Sequence, residues 1–120
     1  MARDLTAYIY PKCGTCRAAL KSLDAKGASP KLINVVESPP SVEELRRLWR
    51  QSGLPLRKFF NTSGEVYKEM NLKDKLPQMS EEEMLALLAS NGKLIKRPIV
   101  TDGESVTVGY NEEEYAGKWA

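Results

Sequence analysis

A chain of 120 residues, 42% hydrophobic and 28% charged, has material for one hydrophobic core and not for two. Its 18 basic and 16 acidic residues leave a net charge of +2 spread along the sequence, which argues against a nucleic-acid binder driven by a clustered basic face, and no direct nucleic-acid contact is expected. Histidine is absent, so the usual general base, the commonest metal ligand and the physiological pH switch are all missing.

No apolar run approaches the roughly 20 residues that span a bilayer, so no membrane association is expected. The opening MARDLTAYIYPK has too short an apolar part for a secretory leader and no small-residue cleavage site. The expected compartment is the cytoplasm, where two thiols favour catalysis or sensing over a structural staple.

In chain order, the β-branched and aromatic run Leu5–Tyr10, ending at Pro11, reads as a strand. From Cys16 to about Lys26 the apolar residues Ala19, Leu20 and Leu23 recur at helical spacing, and Gly27 supplies the stop. Lys31–Val36 reads as a second strand, and a helical crossover makes the two strands parallel. Pro39 and Pro40 break the chain before Ser41, which with Glu44 forms a capping box for a helix through Leu45, Leu48 and Trp49 towards Gly53. The polar stretch LPLRKFFNTSGEVYKEMNLKDKLPQ predicts short helical pieces. Ser80 with Glu83 opens another helix through Met84, Leu85, Leu87 and Leu88, ending near Asn91-Gly92. RPIVTDGESVTVGY holds two β-type runs about Asp102-Gly103, a hairpin signal. Asn111, with Glu114 three residues on, caps a final helix carrying Tyr115 and Trp119.

The order is βαβ, a helical middle, then ββα. That is an α/β, thioredoxin-like (glutaredoxin-like) fold with a mixed sheet of about four strands. A single domain covers residues 1–120, with a helical insertion at about 41–92.

Both cysteines fall in Cys13-Gly14-Thr15-Cys16, where the first strand passes into the first helix. Unpaired amides and the positive end of the helix dipole favour a thiolate there, and Lys12 and Arg17 add cations. Cys13, at the exposed end, is the expected nucleophile. Cys16, one turn into the helix, is the expected resolving thiol. Four readings compete: half a zinc site, which lacks two ligands; two inert packed thiols; a static disulfide closing a tiny loop; and a redox-active pair. The position at a strand–helix junction favours the last, and no metal is expected. Arg97-Pro98 opens the hairpin, where thioredoxin-type proteins carry a cis-proline facing the cysteines; the alternative is an ordinary strand-edge proline. Arg97 offers a forked donor to an oxyanion, a carboxylate or the thiolate itself, or is a solvated strand-end arginine. Lys12, Gly14, Thr15 and Pro98 are the candidate substrate-binding residues. Thr15 either donates to a sulfur or is a spacer.

YPKCGTCRAAL, PPSVEELRRL, FFNTSGEVYKEMNL, LIKRPIVTDG and VTVGYNEEEY together resemble the ArsC family, which comprises arsenate reductases and the related Spx/MgsR regulators. The resemblance implies a thioredoxin-like core with an inserted helical subdomain. It matches Cys13 to the nucleophile that attacks arsenate, and Arg97 to the arginine of the reductases' N-R-P segment. Two further anion-binding arginines of those reductases fall near Asn61 and Gly109, neither of which is basic here; Arg57, one helical turn earlier, is a partial substitute. The expected function is therefore thiol–disulfide oxidoreduction, with no bound cofactor and with glutathione or another small thiol as co-substrate. The substrate is a small thiol or disulfide, or an oxyanion, and the chain is expected to be a monomer. The alternative that the resemblance implies is an Spx-like redox-sensing regulator binding the C-terminal domain of the RNA polymerase α subunit. Arsenate reduction ranks third.

Overall fold

The computed structural model describes residues 4–119. In chain order the elements are β1 (Thr6–Ile9), α1 (Gly14–Ala25), β2 (Lys31–Asn34), α2 (Val42–Ser52), α3 (Glu65–Glu69), α4 (Leu72–Lys75), α5 (Glu81–Ser90), β3 (Ile99–Thr101), β4 (Val106–Val108) and α6 (Glu112–Lys118), with 3-10 turns at Leu56–Phe59, Leu76–Gln78 and Gly92–Leu94. They divide into two compact units. One comprises the residues up to Asn34 and those from Arg97 onward; the other is Val35–Lys96.

The first unit is built on a four-stranded sheet in the order β2-β1-β3-β4. β1 runs parallel to β2, with Thr6 opposite Lys31 and Ile9 opposite Asn34. It runs antiparallel to β3, with Tyr8 opposite Ile99, and β3 turns back on β4 with Ile99 opposite Val108. The mixed sheet and the βαβ–ββα order make the fold thioredoxin-like. Alternation along the strands places Ala7, Ile9 and Val100 in one cluster with Cys16, Ala19 and Leu23 of α1 and Tyr115 and Trp119 beside them. α1 begins at Gly14, earlier than the apolar periodicity indicates, because Cys13 itself caps it.

In the second unit α2 packs against α5. The Glu44 amide donates to Ser41 Oγ at 3.1 Å, and Gly53 closes α2 with a left-handed φ of 70° that a glycine adopts without penalty. α5 has a complete capping box: the Glu83 amide donates to Ser80 Oγ at 3.1 Å and the Ser80 amide to Glu83 Oε1 at 3.0 Å. Leu45, Leu48, Phe59, Phe60, Leu85, Leu88 and Ile95 are buried. The unit reaches beyond residues 41–92 at both ends, for an identifiable reason. Phe60 bridges Ile95, the Asn61 amide donates to the Leu94 carbonyl at 2.7 Å, and the Lys96 amide to the Phe59 carbonyl at 2.8 Å. At the other end Gly92 lies so close to Val35 that a Cβ would meet its carbonyl oxygen at 1.8 Å. Among the described residues no helix is long and apolar enough to cross a membrane.

Candidate active site

Cys13 is the N-cap of α1, with extended backbone at φ −93° and ψ 115°. Its amide donates to the Tyr10 carbonyl at 3.0 Å and its own carbonyl accepts from the Arg17 amide at 3.2 Å. The Cys16 amide donates to Cys13 Sγ at 3.4 Å, so the sulfur fills the role that a serine or threonine oxygen fills at other N-caps. No acidic residue stands in the first turn of α1, and nothing there opposes a negative sulfur.

The two thiols are free and differ sharply in exposure: Cys13 is half-buried, while Cys16 is 1% exposed. Partial burial acts to raise the Cys13 pKa. Hydrogen bonds from the Cys16 thiol and amide, with the charge and hydrogen bond of Arg97, outweigh it and hold Cys13 below its ordinary 9.0. Burial pushes Cys16 the other way, up to about 12, and its hydrogen bond to Cys13 and the nearby sulfur charge add to the rise. Two cysteines three residues apart thus have their pKa values displaced in opposite directions.

Arg97, whose charge helps to lower the Cys13 pKa, has its guanidinium carbon 5.2 Å from the centre of the Tyr10 ring. The Arg97-Pro98 peptide bond is cis. The Pro98 carbonyl accepts from the Gly109 amide at 2.8 Å, fixing the base of the hairpin. Gly109 has a φ of 82°, a conformation that favours glycine, and its carbonyl accepts from the Tyr115 hydroxyl at 3.3 Å. The hairpin is in turn held to α6, where the Trp119 indole donates to Thr107 Oγ1 at 3.1 Å. One carboxylate joins α6 to α1: Glu112 accepts from Ser22 Oγ at 2.7 Å and pairs with Lys26 Nζ at 2.9 Å.

Cys13, Cys16 and Arg97 therefore meet at the start of α1. Pro98 is buried beside Arg97 in sequence, whereas Lys12, Gly14 and Thr15 are exposed around the motif. Lys12 and Thr15 make no side-chain hydrogen bond or ion pair among the described residues, and a Cβ on Gly14 would meet nothing within 4 Å. The cation that acts on the sulfur is Arg97, from the far end of the sequence, rather than the neighbouring Lys12. Tyr10 is not a candidate from sequence; the one clue to it is an aromatic at the strand end three residues before Cys13. Among the described residues no group of three or more His, Cys, Asp or Glu lies where it would hold a metal ion.

A sequence model described as the ArsC family matches residues 8–117. Protein YusI of Bacillus subtilis is 59% identical over 117 residues, covering 98% of this chain and 99% of its own. The regulatory protein MgsR of the same organism is 30% identical, over 95% of this chain and 89% of MgsR. Among solved structures, a protein from Bacteroides fragilis described as ArsC family related has a TM-score of 0.93 at 47% identity, covering 98% of each chain. An arsenate reductase from Vibrio cholerae has a TM-score of 0.86 at 37% identity, again covering 98% of each.

Proposed function

We propose, because this chain belongs to the ArsC family and carries two oppositely tuned thiols, that it is a thiol–disulfide oxidoreductase. The observation that carries this reading is the placement of the pair at the start of α1: a half-buried Cys13 whose sulfur accepts from the Cys16 amide at 3.4 Å, and a Cys16 only 1% exposed, with their pKa values displaced in opposite directions. The Cys13 thiolate attacks one sulfur of a disulfide or glutathione mixed disulfide. A mixed disulfide to Cys13 forms, the S–S bond of the substrate breaks, and the leaving thiolate takes a proton from solvent. Bonding Cys13 to substrate removes its negative charge, and with it two of the influences that raise Cys16. Cys16 then loses its proton, attacks Cys13 Sγ and expels the second thiol. The pair has given up two electrons and stands as an intramolecular disulfide, which two equivalents of glutathione or another small thiol reduce.

Arg97 holds Cys13 as the thiolate and orients an anionic substrate such as the carboxylates of glutathione. Pro98 walls the groove, and the exposed Lys12, Gly14 and Thr15 border it. An oxyanion substrate is less well served. The family resemblance puts two anion-binding arginines of the reductases near Asn61 and Gly109, neither of them basic, with Arg57 one helical turn before Asn61 as a partial substitute; each missing charge-assisted hydrogen bond is worth about 1.5–3 kcal/mol.

A glutathione-coupled disulfide reductase assay tests the mechanism. Cys13→Ser should be inactive and Cys16→Ser should trap a mixed disulfide visible as added mass; equal turnover in all three proteins refutes it. The likeness to MgsR favours a second reading, in which the same pair is a redox switch on a regulator that binds the C-terminal domain of the RNA polymerase α subunit. Capture of that domain by the reduced or the oxidised form alone would select this reading over the enzyme.

A further inference from the structure

The helical unit holds a cavity of about 650 Å³, within the range of small-molecule sites. Its apolar lining includes Trp49, Leu54 and Met84. Leu54, 37% exposed, is one of two large hydrophobic residues left that open among the described residues. The rim is already ordered. The Trp49 indole N–H donates to the Leu54 carbonyl at 2.9 Å, which satisfies its polar edge and leaves the ring for apolar contact. Ser52 Oγ donates to the Trp49 carbonyl at 2.7 Å and accepts from the Leu54 amide at 3.1 Å.

Charge then selects the occupant. Arg57 and Lys58, on the 3-10 turn Leu56–Phe59, and Lys73, on α4, all line the same cavity, and Glu81 is the one carboxylate among its lining residues. The ion pairs Lys26–Glu112 and Arg46–Glu82 lie elsewhere, and these three cations have no carboxylate partner among the described residues. An apolar floor with three uncommitted cations complements a molecule with an apolar body and an anionic head. We infer that this cavity is a binding site for a small amphipathic carboxylate, its tail against Trp49, Leu54 and Met84 and its head met by Arg57, Lys58 and Lys73. The three cations are exposed, so the head-group preference is modest and screened by salt.

Titration of the isotope-labelled full chain with decanoate, decanol and decyltrimethylammonium, followed by amide NMR at low salt, tests this. Decanoate should produce saturable shifts at Leu54, Arg57, Lys58 and Lys73 and bind about five- to tenfold more tightly than decanol, with the cation weakest. In the double variant Lys58→Gln/Lys73→Gln the advantage over decanol should fall to about twofold or less while decanol binding is unchanged. Equal affinity for the three head groups overturns the proposal, as does an undiminished preference in the double variant. Shifts confined to α1, or no saturable shift at all, overturn it equally.

Discussion

Cys13 is held below its ordinary pKa without any histidine. Its sulfur caps α1, takes a hydrogen bond from Cys16, and lies within the field of one arginine. Replacing Arg97 with Gln should move the pH midpoint of Cys13 alkylation by iodoacetamide upward towards that of an ordinary thiol. The Tyr10 ring lies 5.2 Å from the Arg97 guanidinium carbon. A contact of this kind is worth about 0.5–1 kcal/mol at an exposed site, so Tyr10→Leu should slow alkylation at neutral pH about two- to fivefold, while Tyr10→Phe keeps the ring face and the wild-type rate. The Cys13–Cys16 spacing and the Arg97-Pro98 dipeptide are local and can be read in the sequence; that the arginine lies by the thiols is a property of the fold. Tyr10 is not legible there, since its role depends on which face of the strand end the distant arginine crosses.

Elements with marked ends are the legible ones. Ser41, Ser80 and Asn111 each announce a helix by a side chain that bonds the amide three residues on, at 3.1 Å in all three cases. The stretch between α2 and α5 breaks into α3, α4 and two 3-10 turns, none long enough to display a 3.6-residue period. The Phe60–Ile95 bridge is equally invisible from sequence, because neither partner lies in a run that alternates. Two substitutions probe the elements themselves. Trp119, 3% exposed, fastens the end of α6 to the hairpin, and Trp119→Ala should cost about 3–5 kcal/mol in denaturant unfolding. Gly92→Ala should destabilise by at least about 1–3 kcal/mol, because the new methyl collides with the Val35 carbonyl, which has no flexible side chain to yield. Gly14→Ala, which meets nothing, should fold like the wild type.

For the molecule as a whole, the titrating thiols and Tyr115 set a pH window. Cys16 is pushed up to about 12 and Tyr115 is raised above its ordinary 10.0, in both cases chiefly by burial. Each is an acid whose folded pKa exceeds its unfolded one, so above about pH 9 the unfolded chain binds fewer protons and stability falls as pH rises. Cys13, held below 9.0, acts in the opposite sense and adds stability as pH climbs towards 9. The midpoint of thermal unfolding should therefore hold up to about pH 9 and decline beyond it. Cys16→Ala should delay that decline to about pH 10, where Tyr115 takes over; an unchanged onset would show that Cys16 is not the group responsible. The sheet also has a consequence for the order of assembly. β1 finds β2 across α1 alone, but its antiparallel partner β3 arrives only after the whole of Val35–Lys96 has passed. Closing so long a span is entropically slow unless the intervening helices have already shortened it. Arg97 belongs to that last arrival. In stopped-flow refolding, far-ultraviolet ellipticity should recover first and the native alkylation rate of Cys13 should lag behind it, because Arg97, whose charge lowers the Cys13 pKa, arrives with β3.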